Sequence, residues 1–340
     1  MSRTPATDGF FMPAEWTAHD GCWMAWPGQG AAWGEGFEMA CMAVAGVARV
    51  LNEYEPVTML TPPSLLPMAT LQLAGRVETL AIELDDCWSR DIVPTFLVDG
   101  DGGLAAAAFD FNGWGNKNHD HDRDARLGGE LLEAMDLPCY QVPMTLEGGA
   151  VHVDGSGTLL TTESVVLNPN RNPTLDRCQV AERLALYFGV RKVIWLPGGL
   201  VGDPTDGHVG KVARFVAPAK VMCAVASDAD DPSQADLLDN LGQLAAETDA
   251  LGRPLEVIEV PLPAPRQTDG GRPLALSYLD FYIANGAVIV PAFDDPRDDE
   301  AARLIGAAFP DHLVAQIDIG ILARRGGGIH GLTQQQPART

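Results

Sequence analysis

Four short segments concentrate the side chains able to do chemistry: Asp85-Asp86-Cys87-Trp88-Ser89-Arg90-Asp91, Leu146-Glu147-Gly148-Gly149, Asp203-Pro204-Thr205-Asp206-Gly207-His208-Val209-Gly210, and Gly326-Gly327-Gly328-Ile329-His330-Gly331-Leu332-Thr333-Gln334-Gln335. Carboxylates beside an indole face suit a planar cation, through charge-assisted hydrogen bonds and stacking. A histidine among them can carry protons at neutral pH. Glycines next to a Glu or a His let the backbone approach a ligand closely. Each residue also has a structural reading: Asp91 paired with an arginine, Glu147 capping backbone amides, His208 hydrogen-bonded in a core. A fifth polar run, Asn118-His119-Asp120-His121-Asp122-Arg123-Asp124, has the composition of a zinc site, yet after Gly115-Asn116-Lys117 it reads as a solvated loop. Arg324-Arg325 reads as a solvated pair.

The elements that must position these segments follow one repeated grammar. Apolar periodicity predicts helices over Phe37–Glu53, Ala125–Met135, Leu175–Phe188, Pro232–Thr248 and Pro296–Phe309. Each precedes a short β-branched strand: Val57–Leu60, Cys139–Val142, Val193–Leu196, Leu255–Val260 and Val314–Ile317. Hairpin turns are marked by Asp99-Gly100, Asp154-Gly155, Ala217-Pro218 and Asn285-Gly286. Two-residue turns do not suit a doubly wound parallel sheet, whose strands need long crossovers. Five modules around a common axis, with a period of about 68 residues in 340, satisfy the pattern. Chemistry-bearing segments that follow the module strands would then point at that axis. No linker divides the chain, and the longest irregular stretch, Pro261–Pro273, reads as a surface loop, so one domain over 1–340 is expected.

With Asp and Glu totalling 46 against 23 Lys and Arg, the net charge of -23 opposes nucleic acid and anionic lipid and favours small cations. No apolar run approaches the roughly 20 residues of a membrane helix, and Met1 to Phe11 lacks a signal-like core, so a cytoplasmic protein is expected. The six cysteines are scattered without CxxC spacing, and most read as reduced core thiols.

Over nearly its whole length the chain resembles the agmatine deiminase and bacterial peptidyl-arginine deiminase family of guanidino-group-modifying enzymes. The resemblance rests on Met12-Pro13-Ala14-Glu15-Trp16, Trp23-Met24-Ala25-Trp26-Pro27, Trp88-Ser89-Arg90-Asp91 and Asp110-Phe111-Asn112-Gly113-Trp114-Gly115. It continues through Glu147-Gly148-Gly149, Asn168-Pro169-Asn170-Arg171-Asn172-Pro173, Asp206-Gly207-His208-Val209 and the closing glycine run to Pro337. It implies a five-bladed α/β-propeller of the pentein type, no metal and no cofactor, a small cationic guanidino-type substrate, and a homodimer. Carried over by motif, Asp91 and Glu147 become guanidinium-binding carboxylates, His208 the acid/base and Trp88 a pocket wall, with Asp86 and Asp206 also against the substrate.

The resemblance breaks inside these motifs. The family's nucleophilic cysteine corresponds to Gly331, a second guanidinium-binding Asp to Gly210, and the Glu associated with the distal amine of agmatine to Pro204. Glycine has no nucleophile, and Cys87 is directed away from the Trp88 face in an extended chain. Three readings follow: an enzyme in which His208 drives non-covalent hydrolysis, elimination or cyclisation; a non-catalytic guanidino-ligand binding protein; or an inactivated Cys-to-Gly variant of an agmatine deiminase.

Overall fold

Each of the five predicted repeats becomes part of a separate small sheet. The computed structural model describes residues 3–29, 33–268 and 270–339; Met1, Ser2 and Thr340, at the ends of the expected 1–340 domain, and Asp269, in the expected 261–273 loop, lie outside the described residues. Four sheets share one design, an antiparallel pair followed by a third strand parallel to the second. Their strands are Thr95–Val98, Leu104–Asp110 and Cys139–Thr145; Val151–Val153, Thr158–Thr162 and Lys192–Leu196; Ala213–Ala217, Lys220–Val225 and Glu256–Pro261; and Tyr282–Ala284, Ala287–Ala292 and Leu313–Asp318. The design follows from connection lengths. Antiparallel neighbours close through short turns at the four predicted tips, whereas parallel neighbours require the intervening helix as a crossover.

The remaining sheet is built differently. Gln334–Pro337 lies antiparallel to His19–Ala25, which is parallel to Val57–Thr61, which in turn is parallel to Glu78–Ala81. Its hairpin partners come from opposite ends of the chain, so the last strand ties the C-terminal segment to the first sheet.

The crossover helices cover Phe37–Leu51, Asp124–Ala134, Arg177–Phe188, Gln234–Ala246 and Asp298–Ala308. The first buries Ala40, Cys41, Val44, Ala45, Val47, Ala48 and Leu51, the spacing of a wide apolar stripe. Arg177–Phe188 starts on a reciprocal capping box between Asp176 and Gln179. It stops at Gly189, in the left-handed region at φ 67°, where an added Cβ would meet Phe11 Cβ at 2.5 Å. Apolar side chains between helices and sheets form three buried clusters, the largest running through Met24, Val44, Phe215, Tyr282 and Ile289. Among the described residues no helix is long and apolar enough to cross a membrane.

Candidate active site

The segments that follow the last strand of each sheet contribute to one cavity of about 810 Å³. After Glu78–Ala81 come Asp86, Trp88 and Asp91; after Cys139–Thr145, Gly149; after Lys192–Leu196, His208 and Gly210; after Glu256–Pro261, Asp280; and after Leu313–Asp318, Gly331. Segments after the last strands of all five sheets thus line the cavity, one more than the four motifs singled out in the sequence.

Trp88 forms one wall. Its indole N–H donates to Asp86 Oδ2 at 3.1 Å, and that of Trp33 donates to Asp86 Oδ1 at 2.8 Å, with the two ring centroids 6.1 Å apart. Cys87 N–H also donates to Oδ1 at 2.8 Å. Burial pushes the Asp86 carboxyl up, opposed by these donors. Asp86 therefore lines the cavity while its acceptor capacity goes to holding the two indoles. Cys87 is buried off the cavity wall, and burial next to Asp86 raises its thiol well above the ordinary range.

Asp91 sits in the short Ser89–Ile92 turn. Trp114 Nε1 donates to its Oδ2 at 2.9 Å and Gly149 N to its Oδ1 at 3.0 Å. Burial raises its pKa, with neighbouring Glu147 adding to the rise and His208 opposing it. Glu147 is fully buried and does not reach the cavity wall; Arg171 Nε donates to its Oε1 at 3.1 Å. Burial disfavours its charge, but His208 and Arg171 outweigh that and lower its pKa.

His208 stands between these carboxylates. Its Nε2 lies 3.6 Å from Glu147 Oε2, an ion-pair contact longer than a hydrogen bond, and this buried nitrogen has no hydrogen-bond partner among the described residues. Its backbone N–H donates to Asp203 Oδ2 and Thr205 Oγ1, both at 3.2 Å. Burial lowers the imidazole pKa, yet Asp91, Glu147 and Asp203 together raise it above its ordinary value.

The glycines differ in kind. A Cβ on Gly149 would lie 2.4 Å from His208 Nδ1, and one on Gly327 would lie 2.0 Å from Trp88 Cζ3. At Gly331 a Cβ would touch only Trp88, at 3.3 and 3.7 Å; at Gly210 the nearest atom is His330 Nδ1 at 3.4 Å. Neither Gly331 nor Gly210 has a positive φ. Side chains are therefore excluded by space at 149 and 327 but not at 210 and 331.

A buried polar layer supports this face. Arg214 donates to Glu15 Oε1 at 2.7 Å, and His330 Nε2 lies 2.8 Å from Glu15 Oε2. Burial, with Arg214 and Arg90 alongside, holds the His330 pKa well below its usual value. Arg90 reaches the His330 carbonyl at 3.3 Å and Gln335 Oε1 at 2.7 Å, fixing the chain on both sides of Gly331. Lys211, next to Gly210, is buried with its Nζ 3.3 Å from Asp203 Oδ1 and bonded to the Gly326 carbonyl. Burial disfavours charge on Asp203, but Lys211 and then His208 hold its pKa low.

Asp206, expected against the substrate, is instead bound by Lys117, Arg171 and Asn170 and does not line the cavity. The reason is local: Asp206 has φ 71°, which turns its carboxylate toward the Arg171 guanidinium. In the 118–124 run, Asp124 turns inward to accept the Asp85 N–H at 2.8 Å, His121 packs edge-on to Phe111, and His119, Asp120 and Asp122 stay exposed. Residues given no site role from the sequence include Trp33, Lys211 and Asp280, and also Trp114 and Arg171, which lie within motifs quoted for the resemblance. Of these, Asp280 carried a signal, a lone carboxylate inside the apolar run Tyr278-Leu279-Asp280-Phe281-Tyr282.

The five sheets and their crossover helices define an α/β protein with one cavity lined from all five. The solved agmatine deiminase of Enterococcus faecalis superposes with a TM-score of 0.95 at 31% identity, over 100% of this chain and 99% of that one. A C. jejuni agmatine deiminase solved as a Cys→Ser variant with substrate bound gives a TM-score of 0.88 at 26% identity, covering 96% of each chain. The agmatine deiminase of Stutzerimonas stutzeri is 39% identical over 99% of this chain and 98% of its own length. Residues 11–337 match the family described as Porphyromonas-type peptidyl-arginine deiminase, and the chain belongs to that family.

Proposed function

We propose that this chain is an enzyme that hydrolyses a C–N bond of a guanidino compound without a cysteine nucleophile. On this reading the five sheets are the blades of one five-bladed propeller domain spanning 1–340, and the cavity is its central site. The observation that carries the proposal is His208: a buried imidazole, flanked by Asp91 and Glu147, whose Nε2 has no protein hydrogen-bond partner among the described residues, in a cavity where position 331 has no side chain.

In the proposed step a water oxygen bonds to the guanidinium carbon as one of its protons passes to the His208 imidazole. His208 returns that proton to the departing nitrogen, the C–N bond breaks and ammonia leaves; the oxygen then gives up its second proton to solvent, leaving a neutral urea group. Asp91 holds the guanidinium and the resulting imidazolium by charge. Glu147 acts through His208, which it faces at 3.6 Å, and is itself held by Arg171. Trp88 and Asp86 form the wall, and Asp206 supports Arg171. The C. jejuni Cys→Ser variant, solved with substrate bound, supports ligand binding in such a pocket without that thiol.

Mass spectrometry of the intact protein during turnover of a guanidino panel tests the step. Ammonia release with no covalent adduct at any time supports it; an adduct on any cysteine contradicts it. Agmatine should release no ammonia at a family-like rate, because Pro204 offers no carboxylate for its distal amine.

A further inference from the structure

We infer that the cavity selects a zwitterionic guanidino compound, whose guanidinium is seated between Asp91 and Asp280 at the buried end and whose carboxylate tail meets Arg324 and Arg325 at the mouth. This rests on the reading above that the cavity takes a guanidinium.

Asp280 supplies the head-group argument. It is 8% exposed and on the cavity wall, and among the described residues its carboxylate has no hydrogen-bond or ion-pair partner. Only its backbone is engaged, its N–H with the Ser277 carbonyl and its carbonyl with the His330 N–H. Gly328 leaves this carboxylate space, since a Cβ there would come within 2.2 Å of Oδ2. A buried, unpartnered carboxylate is costly unless a cation or a donor arrives to meet it. Position 210, which also lines the cavity, carries no side chain, and Asp86 spends its oxygens on two indoles, so Asp280 is the buried cavity carboxylate left for a ligand beside Asp91.

The tail argument comes from the mouth. Arg324 and Arg325 are exposed, adjacent and on the cavity rim, directly after the short Gly320–Ala323 turn. Some exposed arginines of this chain of net charge -23 find acids, as in Arg3 with Asp8, Arg177 with Glu163 and Arg253 with Asp249, while others, such as Arg49 and Arg191, donate to backbone carbonyls. Neither Arg324 nor Arg325 has a carboxylate partner among the described residues, although exposed Glu35 shares the rim. Arg325 is steadied with its guanidinium 5.9 Å from the Trp33 ring centroid. A second cationic tail, as on agmatine, finds the acids flanking Pro204 already engaged, Asp203 by Lys211 and Asp206 by Lys117 and Arg171. The cavity therefore offers an unpartnered carboxylate at Asp280 where it is buried, beside Lys211 and Arg90, which already donate to Asp203 and Gln335, and guanidinium groups without a carboxylate partner at Arg324 and Arg325 where it opens.

The test is calorimetry at low salt with 4-guanidinobutanoate, n-butylguanidine and agmatine. The expected order is 4-guanidinobutanoate roughly fivefold or more tighter than n-butylguanidine, the sum of two exposed charge contacts, with agmatine weakest. In R324A/R325A, exposed positions that do not threaten folding, the two leading ligands should bind within about twofold of each other, with n-butylguanidine unchanged. Asp280→Asn should weaken both by about tenfold. If n-butylguanidine binds but 4-guanidinobutanoate binds no tighter, or if the double variant keeps its preference, the tail assignment is overturned while the guanidinium reading stands. If none of the guanidines binds, both are overturned.

Discussion

Two faces of the same cavity have been built to different rules. On the face made by Asp91, Gly149 and His208, the charges at and behind the wall are interlocked: Asp91 with Trp114 and Gly149, Glu147 with Arg171, Asp203 with Lys211. Its glycine is obligatory, because a Cβ at 149 would drive into His208. On the face made by Gly210 and Gly331, space for a side chain exists and none is present. The difference separates glycine imposed by packing from glycine that packing does not require. On the first face the groups are held by packing and by one another, whereas on the second packing leaves room at two glycines.

The comparison breaks first at Glu147. Glu147→Ala leaves Arg171 buried beside a lost partner and should lower unfolding free energy by about 3–5 kcal/mol in urea titration. A loss under about 1 kcal/mol would mean that this face is not interlocked. Next comes Gly149→Ala, where overpacking against His208 Nδ1 should cost about 1–3 kcal/mol and most of the turnover. Gly331→Ala and Gly210→Ala, measured in the same way, should stay within about 1 kcal/mol, since the first contacts are at 3.3 and 3.4 Å. Equal costs at 149 and 331 would erase the distinction between the faces.

The smallest effect concerns pH. The folded pKa of His208 is raised, so its protonation contributes stability that is fully present below the unfolded value of about 6.5 and is lost as pH rises through the folded value. The stability difference between the wild type and His208→Gln should therefore shrink as pH rises from that of a fully protonated imidazole through the folded value. A pH-independent difference would show that the carboxylates do not hold the imidazolium.

Much of this was legible in the sequence because it is local. Amphipathic spacing gave the five crossover helices within a few residues, and turn chemistry gave four hairpins. The fifth antiparallel pair joins His19–Ala25 to Gln334–Pro337, and no local signal encodes a pairing between opposite chain ends. Glu78–Ala81 escaped notice because it is a largely exposed edge strand with no alternation. In the site, Asp91, Glu147 and His208 do come together, but Glu147 and Asp206 proved to face Arg171, an orientation set by backbone turns that spacing alone does not reveal. Asp280 was hidden next to a segment read as surface loop, and its value lies in what it lacks, a partner, which only the folded arrangement discloses.

The most direct measurement of the central claim follows product formation and ligand binding in one sample of His208→Ala, using the guanidino compound that the wild type turns over. If His208 carries the proton, ammonia release falls to background while the calorimetric affinity stays within about threefold of the wild type. Undiminished ammonia release with intact binding would contradict the assignment.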